Sequence, residues 1–217
     1  MQPKSWNVIP RRLRQTLGEA LDGHLNAHLA ADHFTHPRKL PSRQRRAKSS
    51  SRVTPKYEIV AGLPIYSASC GSLARQGLRE LQAGGWLLLV KSVQGVSCQV
   101  EAQAKAKNKG YVVSRVSTGA LANHLENAME SAGISTTGRR GSRLEFRALR
   151  IPAMHIFAVW IHRPSDPERH VLIPFTPNFA GLRSLRSYKR QQAERLLKKH
   201  ATAMILRWYE RHYAQAN

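Results

Sequence analysis

Leucines at positions 13, 17, 21, 25 and 29 recur every fourth residue and open the chain with the apolar stripe of an amphipathic helix. Pro10 suits the first turn of that helix, Arg11, Arg12 and Arg14 cluster there, and Pro37 ends it. Tyr57 to Val60 reads as a strand, and Ser72 to Ala83 as a short helix with Leu73, Leu78 and Leu81 inward, stopped by Gly84-Gly85. Trp86 to Val93 and Val96 to Ala102 form a hairpin around Gln94-Gly95, and Tyr111 to Val116 is a further strand. A second helix is predicted over Ala120 to Ala132, with Gly133 behind it. Leu144 to Leu149, His155 to His162 and Val171 to Phe175 are strands, with a turn at Pro164 to Glu168 before the last. Ser187 to Tyr213 is the strongest helix. Leu196, Leu197, Ala201, Met204, Ile205 and Trp208 share one broad face, with Arg195, Lys198 and Lys199 opposite.

This order predicts an α+β class with a small mixed, largely antiparallel sheet, in preference to a doubly wound nucleotide-binding fold. Ser72 to Ala102 and Ala120 to Phe175 read as two loosely similar helix-then-hairpin units. Four segments follow: an N-terminal helical segment (1–36), a basic arm (37–56), an α+β core (57–181) and a basic, amphipathic C-terminal helix (182–217). The apolar runs Trp86 to Val90 and Ile156 to Ile161 are too short to cross a bilayer, and Met1 to Ile9 lacks the apolar core of a secretory signal. Two cysteines, Cys70 and Cys98, are too few for a disulfide scaffold. A reducing, cytoplasmic setting is expected, nuclear or nucleoid-associated included.

Charge changes this picture most. Lys and Arg total 35 against 13 Asp and Glu, a formal charge of +22 over 217 residues of which 41% are apolar. The excess is +9 in residues 1–56, +6 in 57–181 and +7 in 182–217, so it concentrates at the two ends. Neutralising phosphates releases condensed counterions, which gives affinity without base-specific contacts, and nucleic acid, DNA or RNA, is the expected partner. The arm carries Arg38, Lys39, Arg43, Arg45, Arg46, Lys48 and Arg52 with no carboxylate among them and almost nothing to bury. It is expected to be disordered when unbound and to follow a phosphate backbone through forked arginine contacts. Arg139, Arg140 and Arg143, between Gly138 and the next strand, offer a second phosphate contact, and Arg195, Lys198 and Lys199 a third. No groove-reading motif and no RNP-like strand is present.

Candidate chemistry is sparse, and no motif identifies a reaction. His24 and His28 lie four apart on one helical face, with Asp32, His33 and His36 near, but the metalloprotease glutamate is missing between them and no metal is expected. No phosphate-cradling glycine loop occurs, the core carboxylates form no cluster for two-metal chemistry, and no cofactor is expected. Cys70 stands in Ser69-Cys70-Gly71-Ser72 at a helix start, where thiolate is favoured, and His155 and His162 open and close a later strand, either of them a candidate base. This order of a helix-start cysteine and a late strand histidine resembles that of papain-like hydrolases, and implies a cysteine nucleophile at Cys70 paired with His155. Gly71 stands where an aromatic residue often follows the cysteine in that family. A third expectation is a basic toxin or effector with an acidic protein partner.

Overall fold

Alternation along the two best strands sorts the side chains onto two faces of one sheet. In the strand Glu145–Ile151, Phe146 and Ala148 join one apolar cluster while Leu149 and Ile151 join another, and Ile156–His162 divides in the same way. The computed structural model describes residues 9–18, 20–21, 57–79, 81–92, 97–105, 110–132 and 144–213. Its helices are α1 (residues 11–18 and 20–21), α2 (Cys70–Gln76), α3 (Ala120–Ser131) and α4 (Arg190–Tyr213). The strands are β1 (Tyr57–Ser67), β2 (Gln82–Ser92), β3 (Ser97–Ala104), β4 (Tyr111–Thr118), β5 (Glu145–Ile151), β6 (Ile156–His162), β7 (Val171–Pro174) and β8 (Tyr188–Lys189).

The eight strands form a single mixed sheet in the order β4-β3-β2-β1-β5-β6-β7-β8. Every pairing is antiparallel except β1 with β5, which are parallel over Ile65–Ala148, Tyr66–Leu149 and Ser67–Arg150. The fold is therefore α+β, with two antiparallel meanders joined side by side. At the first join inside a meander, Gly85 sits so close to the Ala102 carbonyl that a Cβ would collide with it.

One face of the sheet is covered in two halves. On β2, β3 and β4, α1 buries Leu13, Leu17 and Leu21 against Leu88, Val90, Cys98 and Val100. On β5 to β8, α2 and α4 bury Leu73, Ala193, Leu197 and Ala201 against Leu149, Ile156, Ala158 and Leu172. The other face is crossed by α3, whose Leu125, Ala128 and Met129 pack over Ala61, Leu63, Leu87, Ala148 and Val159. Both terminal helices thus complete the core. No helix among the described residues is long and apolar enough to cross a membrane.

The sequence expectation placed the short helix over Ser72 to Ala83, with Gly84-Gly85 as its stop. The helix instead ends at Gly77, which takes a left-handed backbone (φ 63°), and both later glycines lie inside β2. The expected strand at Tyr57 to Val60 extends to Ser67. Because α1 supplies wholly buried leucines to the first half-core, Leu17→Ala is expected to cost about 2–5 kcal/mol. The check is the urea midpoint of unfolding; a change within error would detach α1 from the core.

Candidate nucleic-acid interface

A sheet opens a crevice where a strand's two neighbours lead away in different directions, at the carboxyl ends of parallel strands. Here that point is the β1–β5 pair. From it β1 turns through Ala68, whose N–H donates to the Arg150 carbonyl at 3.1 Å, into α2, while β5 runs into the 3-10 turn Pro152–Met154. The cavity between them has a volume of about 1010 Å³ and is lined by Ser67, Ser69, Cys70, Ser72, Arg75, Gln82, Pro152 and Ala153, among others. A second cavity of about 380 Å³ shares Cys70 and Arg75 with the first and reaches across to Met204, Ile205, Trp208 and Tyr209 of α4.

The position of α4 is set from its first turns. Glu194 accepts the Leu78 N–H at 3.1 Å and pairs with Arg190 at 3.6 Å and Lys198 at 3.9 Å, at a point where α2 has no side chain because residue 77 is glycine. The end of α2 is thus held at residues 194–198, and its beginning reaches residues 204–209, so the two helices run antiparallel. Along α4 the stripe Ala193, Leu197 and Ala201 is buried, Met204 and Ile205 are half-buried, and Trp208 and Tyr209 are each 52% exposed. The core ends before the stripe does. Trp208 meets Tyr209 edge-on at 5.3 Å and stacks on His212 at 4.5 Å, and the exposed Arg207 and Arg211 flank these rings.

Of the basic residues expected to meet phosphate, Arg195 and Lys199 are exposed on α4. Lys198 turns toward α2 and Glu194 instead. Arg38, Lys39, Arg43, Arg45, Arg46, Lys48 and Arg52 lie outside the described residues, as do Arg139, Arg140 and Arg143 and the histidines 24, 28, 33 and 36. Among the described residues no group of three His, Cys, Asp or Glu is placed to hold a metal. Arg75, Arg207, Arg211 and the exposed rings were not singled out from the sequence. The available signal was an apolar stripe running two turns further than the sheet beneath it, with arginines beside its last members.

Cys70 does begin a helix. Ser69 is the N-cap, and Ser69 and Ser72 satisfy each other's backbone N–H at 3.1 Å. Yet burial pushes the Cys70 thiol above its ordinary value, the opposite of an activated thiolate. His155, expected as its base, has a left-handed backbone and lies tilted at 45° to the Phe179 ring, centroids 4.6 Å apart, and no hydrogen bond joins it to Cys70. Comparison of the chain with known families, with curated proteins and with solved structures finds no match.

A second polar cluster lies where α4 begins. Arg147 donates to Glu145 at 2.6 Å and lies over the rings of Tyr66 (4.4 Å) and Trp160 (5.1 Å). His162 is 3.3 Å from the same carboxylate, and its ring is 4.5 Å from that of His170. His170 donates through Nε2 to the Arg163 carbonyl, and its own carbonyl accepts the Arg190 N–H at 2.9 Å, tying the cluster to α4. With His170 only 5% exposed, this is a brace between sheet and helix and not an open site.

Burial, reinforced by the charge of Arg147 and by His170, lowers the His162 pKa against the pull of Glu145. Burial also lowers that of His170, against its bond to the Arg163 carbonyl. For Glu145, burial acts to raise the pKa, but the hydrogen bonds and charges of Arg147 and His162 together bring it below its ordinary value.

The signs agree. Below the ordinary imidazole value of 6.5 the unfolded chain binds protons that the folded protein refuses, so stability falls as the pH drops through that value toward the lowered ones. Glu145 adds a further loss below its ordinary 4.5. Urea midpoints from pH 7.5 down to 5 are expected to fall, and H170Q to reduce that fall; a flat profile in the unmutated protein would show that the histidines titrate freely. For the thiols, iodoacetamide is expected to modify half-buried Cys70 before buried Cys98, with the Cys70 rate still climbing above pH 8. A Cys70 rate already level at pH 7 would restore the hydrolase reading.

Proposed function

We propose that the protein binds nucleic acid through its phosphates, using the outer half of α4 and the adjoining crevice together with the basic arm Arg38 to Arg52 and the segment Arg139 to Arg143. The observation that carries this reading is how the carboxylates are used. Glu101, Glu126, Glu145, Asp166 and Glu194 are each engaged by a cation within the fold. On the part of α4 beyond the core, Arg207 and Arg211 face solvent with Glu210 as the one acidic residue. Arg75 of α2 lines the smaller cavity, whose α4 side is formed by Met204, Ile205, Trp208 and Tyr209. The hydroxyl of Ser67 on the larger cavity supplies a further donor to phosphate oxygens, while those of Ser69 and Ser72 are taken up in the cap of α2.

Phosphate contacts give a defined salt signature. Log affinity for a 20-nucleotide oligomer is expected to fall linearly with log salt, by about 0.7 per contact on a single strand and about 0.9 on duplex DNA. R207A/R211A should flatten that slope by up to roughly 1.4 to 1.8 units, and R43A/R45A/R46A/K48A by up to roughly 2.8 to 3.6, each with similar losses on unrelated sequences. Weak binding with a shallow slope in the unmutated protein would exclude nucleic acid and favour an acidic protein partner.

A further inference from the structure

We infer that the groove between α2 and the outer half of α4 takes unpaired bases, so that the nucleic acid bound there is single-stranded. The inference rests on the nucleic-acid reading above and adds to it the state of the strand. The cavity of about 380 Å³ has Trp208 and Tyr209 on one side, Cys70 and Gly71 on the other, and Arg75 at its border. A duplex offers phosphates and base edges, and keeps its ring faces stacked inside. Filling a recess beside two aromatic rings requires a base that has left its stack. Met204 and Ile205 add to the wall, and among the described residues no Asn, Gln, Asp or Glu lines it to read a base edge. Stacking on these rings with Arg75 near the backbone is tolerant of sequence.

Gly71 supports this independently. It is the second residue of α2, in the first turn. Packing does not demand it: a Cβ there would meet Arg75 at 3.5 and 3.9 Å and Ser69 Oγ at 3.9 Å, ordinary contacts, all with α2 or its cap. Its backbone is not left-handed either. Neither sterics nor backbone conformation accounts for a glycine at this place, whereas a cavity wall that a base approaches closely does.

The test is fluorescence anisotropy with labelled 20-nucleotide oligothymidine and a labelled 20-base-pair duplex, on full-length protein freed of co-purifying nucleic acid. The unmutated protein is expected to prefer the single strand. W208A should weaken single-strand binding by about 5- to 150-fold, the equivalent of ~1–3 kcal/mol for one stacked base, and leave duplex binding within about twofold. G71A should weaken the single strand selectively while its thermal midpoint stays level or rises, which separates a filled cavity from a damaged fold. L206A, at a residue 57% exposed and outside the cavity lining, should change neither. If both oligomers bind with steep salt slopes but W208A and G71A alter them equally or not at all, the base site is overturned while the phosphate reading stands. If neither oligomer binds, both fall.

Discussion

The parallel pairing of β1 with β5 is the join on which the rest of the structure depends. It spans three residue pairs and holds two antiparallel meanders in one sheet. So short a ladder carries few hydrogen bonds, and the side chains on its two faces do most of the holding. On one face Arg147 of β5 lies over Tyr66 of β1, which meets Trp160 edge-on at 5.7 Å. On the other, Leu63 and Ile65 share a cluster with Phe146 and Ala148 under α3, and Arg150 reaches Glu101 of β3 at 3.3 Å across the strands between. Glu101 is 2% exposed, so loss of Arg150 would leave a buried carboxylate unpaired, an expensive state.

The same join creates the crevice. Where β1 and β5 end, one strand turns into α2 and the other into a 3-10 turn, and among the described residues no further strand closes the space between them. Because α2 is only seven residues long, its first turn lies beside this opening while its last turn is clamped to α4 at Glu194. The clamp then decides where the outer half of α4 points. Trp208 comes to the cavity because Glu194, nearly four turns earlier on the same helix, is fixed against Leu78.

Local pattern in the sequence revealed the strands of both hairpins, the α1 stripe at Leu13, Leu17 and Leu21, and the length of α4, because each is written in neighbouring residues. The join was not legible, since nothing local marks Ile65 as the partner of Ala148. Gly62 and Pro64 argue against a strand at that place. The structure continues through them with irregular register after Ile59 and Ile65, and the pairing with β5 begins one residue beyond the proline. β3 misleads in another way. Its alternate residues Ser97, Gln99, Glu101 and Gln103 are polar, yet Gln99 and Glu101 are 1% and 2% exposed. The site was hidden for the same reason as the join: Cys70, Arg75 and Trp208 meet only once α2 lies against α4.

Binding and stability are separable in this arrangement. The carboxylates that matter to the fold are set against partners inside it, Glu101 and Glu194 among poorly exposed groups where salt screens little. The arginines of outer α4 lie beyond Ala201, the last buried residue of the helix, and their charges act through solvent where salt screens strongly. Salt therefore acts on the two differently, screening the exposed charges of Arg207 and Arg211 while leaving the clamp at Glu194 nearly untouched. The basic outer half of α4 thus lies outside the interactions that position it.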